Sequence, residues 1–199
     1  MTRVNLVPQR RLSLRLQGYD YTLPGAYFVT VCTYSRRCLF GEIVGNEMGT
    51  NDLGQIVLEC WEEIPRHYAA VTLDAFVVMP NHVHGIIMLR DVHDPATKPK
   101  HSTDVGAGFK PAPTAARRAP LSEIVRALKT FSARRINELR LTHGAPVWQR
   151  NYYEHIIRTE RDLDIIRRYI VNNPLGWALD DENPDRVDRS RAVPRFVQR

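Results

Sequence analysis

A chain of 199 residues with 43% hydrophobic content is long enough for one domain with a real core, and too apolar to be a disordered polymer. Its net charge of +6 and pI near 9.5 favour a polyanionic partner such as nucleic acid. Cys32, Cys38 and Cys60 are an odd number without metal-site spacing, no apolar run reaches the ~18 residues of a membrane span, and no apolar segment follows Met1, so the expectation is a soluble cytoplasmic protein without a disulfide framework.

The first 24 residues read as a basic arm carrying Arg10, Arg11 and Arg15, closed by Pro24-Gly25. Such an arm is either a frayed terminus or a strip that lies along a phosphate backbone. The stretch YFVTVCTY over 27–34, aromatic and β-branched, predicts a strand. A helix follows over about 52–67: Leu53, Ile56, Val57, Cys60, Trp61 and Ile64 form one apolar stripe, behind Asn51 as N-cap and ending or kinking at Pro65. That periodicity makes Trp61 a core residue. Two strands come next, over about 71–79 and 83–89, separated by Pro80-Asn81.

From about residue 91 to 120 the composition turns to Pro, Ala, Gly, Thr and Lys without any period, which predicts a surface insertion. Beyond it, Leu121, Ile124, Val125, Leu128, Phe131 and Ile136 mark an amphipathic helix over 121–139. Arg126, Lys129 and Arg134 on its other side are either solvated charges or phosphate contacts. A strand around 152–157 precedes a last helix opened by Thr159, with acidic residues at its start, Arg167 and Arg168 near its end, and Pro174 as its stop. A polar, arginine-rich tail over 181–199 completes a chain in which a single folded domain is expected over 25–180.

Two places carry chemistry. In PNHVH over 80–84, His82 and His84 are two apart on a strand and share a face, so both imidazoles can meet one divalent cation while Val83 packs behind. The same spacing also suits two surface histidines, since two ligands rarely suffice for a metal. On the last helix, Tyr169 and Asn173 are four apart and share a face. The Asn173 amide oxygen can complete a metal shell, and Tyr169 one turn away can present a phenolate. Alone, Tyr169 reads more readily as a half-buried packing residue, since the helix also presents Leu163, Ile166 and Ile170.

Together these segments resemble a family. FVVMPNHVHGIIM over 76–88 is similar to the histidine strand of the single-tyrosine HUH transposases. VWQRNYYEHIIR over 147–158, YIVNNP over 169–174 and PGAYFVTVCTY over 24–34 resemble their REP-associated branch, and the likeness spans about residues 10–180. The resemblance implies an α/β, ferredoxin-like antiparallel sheet with helices on one face. It implies His82 and His84 as metal ligands for Mg²⁺ or Mn²⁺, Tyr169 as nucleophile, and Asn173 as the third ligand where many insertion-sequence relatives carry glutamine. Tyr152 and Tyr153 are the other candidate nucleophiles; in the family their block is structural. The implied activity is cleavage and rejoining of single-stranded DNA beside REP-like hairpins through a 5′-phosphotyrosine. The alternative is a non-catalytic hairpin-binding regulator on the same fold. Arg10, Arg11, Arg15, Arg126, Lys129 and Arg134 are the expected DNA contacts. A monomer is expected, with a dimer that exchanges the tyrosine helix as the other possibility.

Overall fold

Alternate residues of the first strand turn towards two separate apolar clusters, and that division organises the molecule. In the computed structural model, which describes residues 16, 18–91 and 119–186, strand β1 spans Gly25–Cys32. Tyr27, Val29 and Val31 face the larger cluster, while Phe28 faces the smaller. Strands β4 (Val71–Val78) and β5 (His82–Leu89) form a hairpin, and β5 and β6 (Tyr153–Ile157) flank β1. The sheet runs β4-β5-β1-β6, with every neighbouring pair antiparallel. With helix α1 (Asp52–Glu62) joining β1 to β4 and α3 (Leu121–Leu139) joining β5 to β6, this is the split βαβ arrangement of a ferredoxin-like fold.

The two crossover helices cover one face. Val57, Cys60 and Trp61 of α1 and Ile124, Val125, Leu128 and Ile136 of α3 join the cluster beneath Val29 and Val83. Asn51 caps α1 by accepting the Leu53 and Gly54 amides, and Pro65 separates α1 from the short α2 (Ile64–His67). Trp61 is buried as its periodicity demands, stacked on Phe76 at 4.3 Å between ring centroids. Its indole lies so close to β5 that a Cβ on Gly85 would meet it at 2.5 Å. The residue after His84 has to be small.

Helix α4 (Glu160–Val171) is the exception to helices on one face. Its Leu163 and Ile170 pack with Phe28, Ile86 and Ile157 on the opposite side of the sheet. Arg167 anchors it there, donating through Nε and Nη2 to the two carboxylate oxygens of Asp74 at 2.9 and 2.7 Å. Asp74 lies in the register irregularity of β4 between Leu73 and Phe76.

Two further features depart from the sequence reading. Residues 41–50 form a small hairpin, β2 (Gly41–Val44) and β3 (Glu47–Thr50), turned by Gly45 and Asn46, both at positive φ. Phe131, assigned to the apolar stripe of α3, is 51% exposed and stacks on His67, while Ser132 is buried and accepts the Trp148 indole N–H. The insertion residues 92–118, and the basic arm with Arg10, Arg11 and Arg15, lie outside the described residues. Among those described, no helix is long and apolar enough to cross a membrane.

Candidate active site

The turn before β5 is pinned by its backbone. Thr33 donates its amide to the Asn81 carbonyl, and Leu39 and Phe40 both donate to that of Pro80. From this anchored start, His82 and His84 turn to the α4 face, opposite Cys32 and Thr30 of β1 in the register. Val83 between them enters the core. Both histidines are buried, and their Nε2 atoms stand 3.0 Å apart.

Each imidazole is oriented from behind. Asn81, itself buried, donates through Nδ2 to the Arg36 and Glu182 carbonyls, which leaves Oδ1 as the acceptor facing His82 Nδ1 at 2.9 Å. His82 therefore carries its proton on Nδ1 and presents an Nε2 lone pair to the site. Thr30 Oγ1 meets His84 Nδ1 at 2.8 Å. Burial pushes the His82 imidazole down to about 4 and holds His84 well below its ordinary value, with His82 adding to the effect. Both rings are neutral at pH 7, the state in which imidazole ligates metals.

Tyr169, on α4, brings its hydroxyl to 3.3 Å from His84 Nε2, and its ring leans on His84 and Phe28. The residue is half-buried, 48% exposed, with its ring packed and its hydroxyl end in the site. Burial of the hydroxyl end raises its pKa, the Asp180 and Glu182 carboxylates add to this, and a contact with Asn173 opposes it. Asn173 follows the end of α4 and opens the short α5 (Asn173–Gly176). Its side chain abuts both His82 and Tyr169. The residue is 5% exposed, and Oδ1 has no hydrogen-bond partner among the described residues. Two neutral imidazoles and a buried amide oxygen without a partner form a donor set that fits a divalent cation.

His84, Tyr169 and Asn173 line a cleft of about 1150 Å³ whose walls also include Arg36, Arg150, Arg168 and Arg186 as well as Tyr152 and Tyr153. Asp180, Asp181 and Glu182 share these walls, with Arg36 paired to Glu182 and Arg186 to Asp181.

No family model matches the chain. An uncharacterised protein of Haemophilus influenzae is 40% identical over 182 residues, covering 90% of this chain and 96% of that protein. The two belong to one family. A REP-associated tyrosine transposase, solved bound to a REP hairpin, aligns with a TM-score of 0.52 and 20% identity over 82% of this chain and 73% of its own. A candidate transposase of Deinococcus radiodurans covers 79% of this chain and 95% of its own at 20% identity, but its TM-score of 0.43 is too low to establish a shared fold. The chain has the REP-associated tyrosine transposase fold.

On the transposase fold, the expected site residues separate into two groups. His82, His84, Tyr169 and Asn173 come together. Arg126 and Lys129 instead line a neighbouring cleft of about 450 Å³ between α3 and the 145–152 loop. Lys129 there donates to the Gln149 and Arg150 carbonyls at 2.6 and 2.9 Å, which ties the loop to α3. Burial lowers its pKa. Arg134 is exposed and pairs with Glu138 one turn on.

Sequence reasoning passed over Thr30, Asn81 and Asp180. Asn81 lay inside the PNHVH run, so its position beside a candidate ligand was a usable signal. Arg150 and Arg168 likewise adjoin the WQ and Tyr169 motifs. Thr30 is visible only through strand register. Asp180, whose carboxylate stands near both histidines, is visible only through folding of the segment after α5.

Proposed function

We propose that this chain is a metal-dependent endonuclease and strand transferase for single-stranded DNA, with Tyr169 as its nucleophile. One observation carries the reading: the Tyr169 hydroxyl lies 3.3 Å from His84 Nε2, which is itself 3.0 Å from His82 Nε2. A half-exposed phenol beside two buried imidazoles is an arrangement that suits covalent phosphodiester chemistry. The solved transposase of the same fold was bound to a REP hairpin, which supports a folded single-stranded DNA as substrate.

His82, His84 and Asn173 would hold Mg²⁺ or Mn²⁺. The cation supplies positive charge to the oxygens of the scissile phosphate. Asn81 and Thr30 hold the imidazoles in position, so little reorganisation is needed when substrate enters. Phe28 buttresses the Tyr169 ring, and the Arg167 anchor on Asp74 holds α4 against the sheet, which together aim the phenol at the cleft. Tyr169 loses its proton to solvent at its exposed side, and its oxygen forms a bond to phosphorus. The bond from phosphorus to the 3′-oxygen breaks, and that oxygen takes up a proton to become a free 3′-OH. The product is a 5′-phosphotyrosine ester. Attack by another 3′-OH reverses these steps and joins strands without ATP, since the ester conserves the bond energy. Arg150 and Arg168 would meet the flanking phosphates.

The test is covalent capture. Wild type and Tyr169→Phe are incubated with end-labelled hairpin DNA and Mn²⁺, then resolved on a denaturing protein gel. An adduct is expected in wild type, absent in Tyr169→Phe and abolished by EDTA. An adduct that persists in the variant would move the nucleophile to Tyr152 or Tyr153. Binding of hairpins without any adduct would make the protein a non-catalytic hairpin-binding regulator.

A further inference from the structure

The chain returns to the site after the tyrosine helix. Residues Trp177–Leu179 form a 3₁₀ turn that delivers Asp180 to the histidines. One ligand atom from each of His82, His84 and Asp180 lies within 4.8 Å of the others. Donors bound at about 2.1 Å to one cation stand about 3 Å apart when adjacent and about 4.2 Å apart when opposite, so small side-chain adjustments bring this triangle onto one ion. Independently, the buried Asn173 Oδ1, in contact range of the same histidine, has no hydrogen-bond partner among the described residues.

Asp180 is held in place from both sides. Its Oδ1 accepts the Glu182 amide at 2.7 Å. Arg36 donates to the Asp181 carbonyl at 2.8 Å and pairs its Nε with the Glu182 carboxylate at 2.9 Å. Asn81 donates to the Glu182 carbonyl at 2.6 Å through the same amide whose oxygen faces His82. One side chain thus locks a histidine and the acidic segment to each other.

We propose that Asp180 is an anionic ligand of the divalent cation, completing a set of two imidazoles and one amide oxygen, an inference that rests on the metal-dependent reading above. A carboxylate halves the net charge of a site whose other donors are neutral, and it adds the oxygen ligand that Mn²⁺ and Mg²⁺ favour. The segment after α5 is then part of the catalytic site.

The experiment titrates Mn²⁺ into the full chain without DNA, following affinity by calorimetry and the ligand field by electron paramagnetic resonance. Asp180→Asn is expected to weaken Mn²⁺ binding at least tenfold and to change the spectrum of the bound ion. Asp180→Glu, which keeps the carboxylate, is expected to bind more tightly than Asp180→Asn. Asp181→Asn, with the same loss of charge one residue on, is expected to stay within twofold of wild type, and His82→Ala to lose binding. If Asp180→Asn binds like wild type while His82→Ala does not, the ligand assignment fails and the metal site stands. Equal weakening by Asp180→Asn and Asp181→Asn would reduce Asp180 to a source of electrostatic field and overturn it. Absence of Mn²⁺ binding by wild type would remove both readings.

Discussion

Asn81 serves two purposes with one amide. Its oxygen settles the tautomer of His82, and its nitrogen donates to carbonyls of two separate segments, at Arg36 and Glu182. Asn81→Ala leaves the buried His82 Nδ1–H without its acceptor, at a cost of about 1–3 kcal/mol in stability. The freed ring can also adopt the other tautomer and turn its protonated nitrogen to the site. Mn²⁺ affinity is therefore expected to fall about 10- to 100-fold, the usual consequence of removing a group that orients a ligand. Calorimetry beside a thermal melt separates the two effects. A variant that melts early yet binds Mn²⁺ as wild type does would show that Asn81 only supports the fold. Asn81 was open to sequence reasoning because it adjoins the first histidine. Thr30 was not, because nothing local says which β1 residue pairs with His84.

Among the elements, the placement of α4 matters most. Its apolar residues Leu163 and Ile170 hold it on the sheet, but a hydrophobic face alone can slide. The ion pair between Arg167 and Asp74 supplies a directional anchor near Tyr169. The Arg167 hydrogen bond holds the Asp74 carboxyl below its ordinary value, against an opposing effect of burial. A carboxyl depressed in the folded state contributes stability above its unfolded pKa of about 3.9, and loses that contribution as pH falls through the folded value. Asp74→Asn is thus expected to lower Tm at pH 7, with the gap from wild type closing as pH falls from about 5 to below 3. Parallel gaps across that range, seen by calorimetric melts, would mean that the carboxylate charge is not the cause. The elements themselves were largely legible: α3 has the bounds its periodicity predicts, and Asn51 and Thr159 cap the helices they should. The β2–β3 hairpin was missed even though Gly45-Asn46 is a turn signal, because its strands are short and mostly polar.

Across the molecule as a whole, the positive charge of the chain is not spread evenly over its functions. Arg150 and Arg168 line the cleft with His84 and Tyr169, whereas Arg36 there is paired with Glu182, and Arg134 with Glu138 on the surface of α3. Single-stranded DNA binding, measured by fluorescence anisotropy over a salt series, is expected to weaken in Arg150→Ala and Arg168→Ala. The slope of log affinity against log salt should become shallower by about 0.7 for each phosphate that the variant no longer neutralises. Arg134→Ala should leave the slope unchanged. The opposite ranking would move the DNA path onto α3, where Arg126 and Lys129 line their own cleft.

Sequence by itself determined the parts whose signal is local. Strand alternation puts His82 and His84 on one face, helical periodicity buries Trp61, and a four-residue spacing relates Tyr169 to Asn173. The resemblance in four separated segments supplied the fold and an expected chemistry. Tertiary structure alone decided which face of the sheet α4 occupies, that Lys129 spends its charge on backbone carbonyls, and that Asp180 stands beside the histidines. Each of these depends on packing between segments far apart in the chain. Such packing arises from strand register and the docking of helices, and neither leaves a periodic mark in the residues that take part.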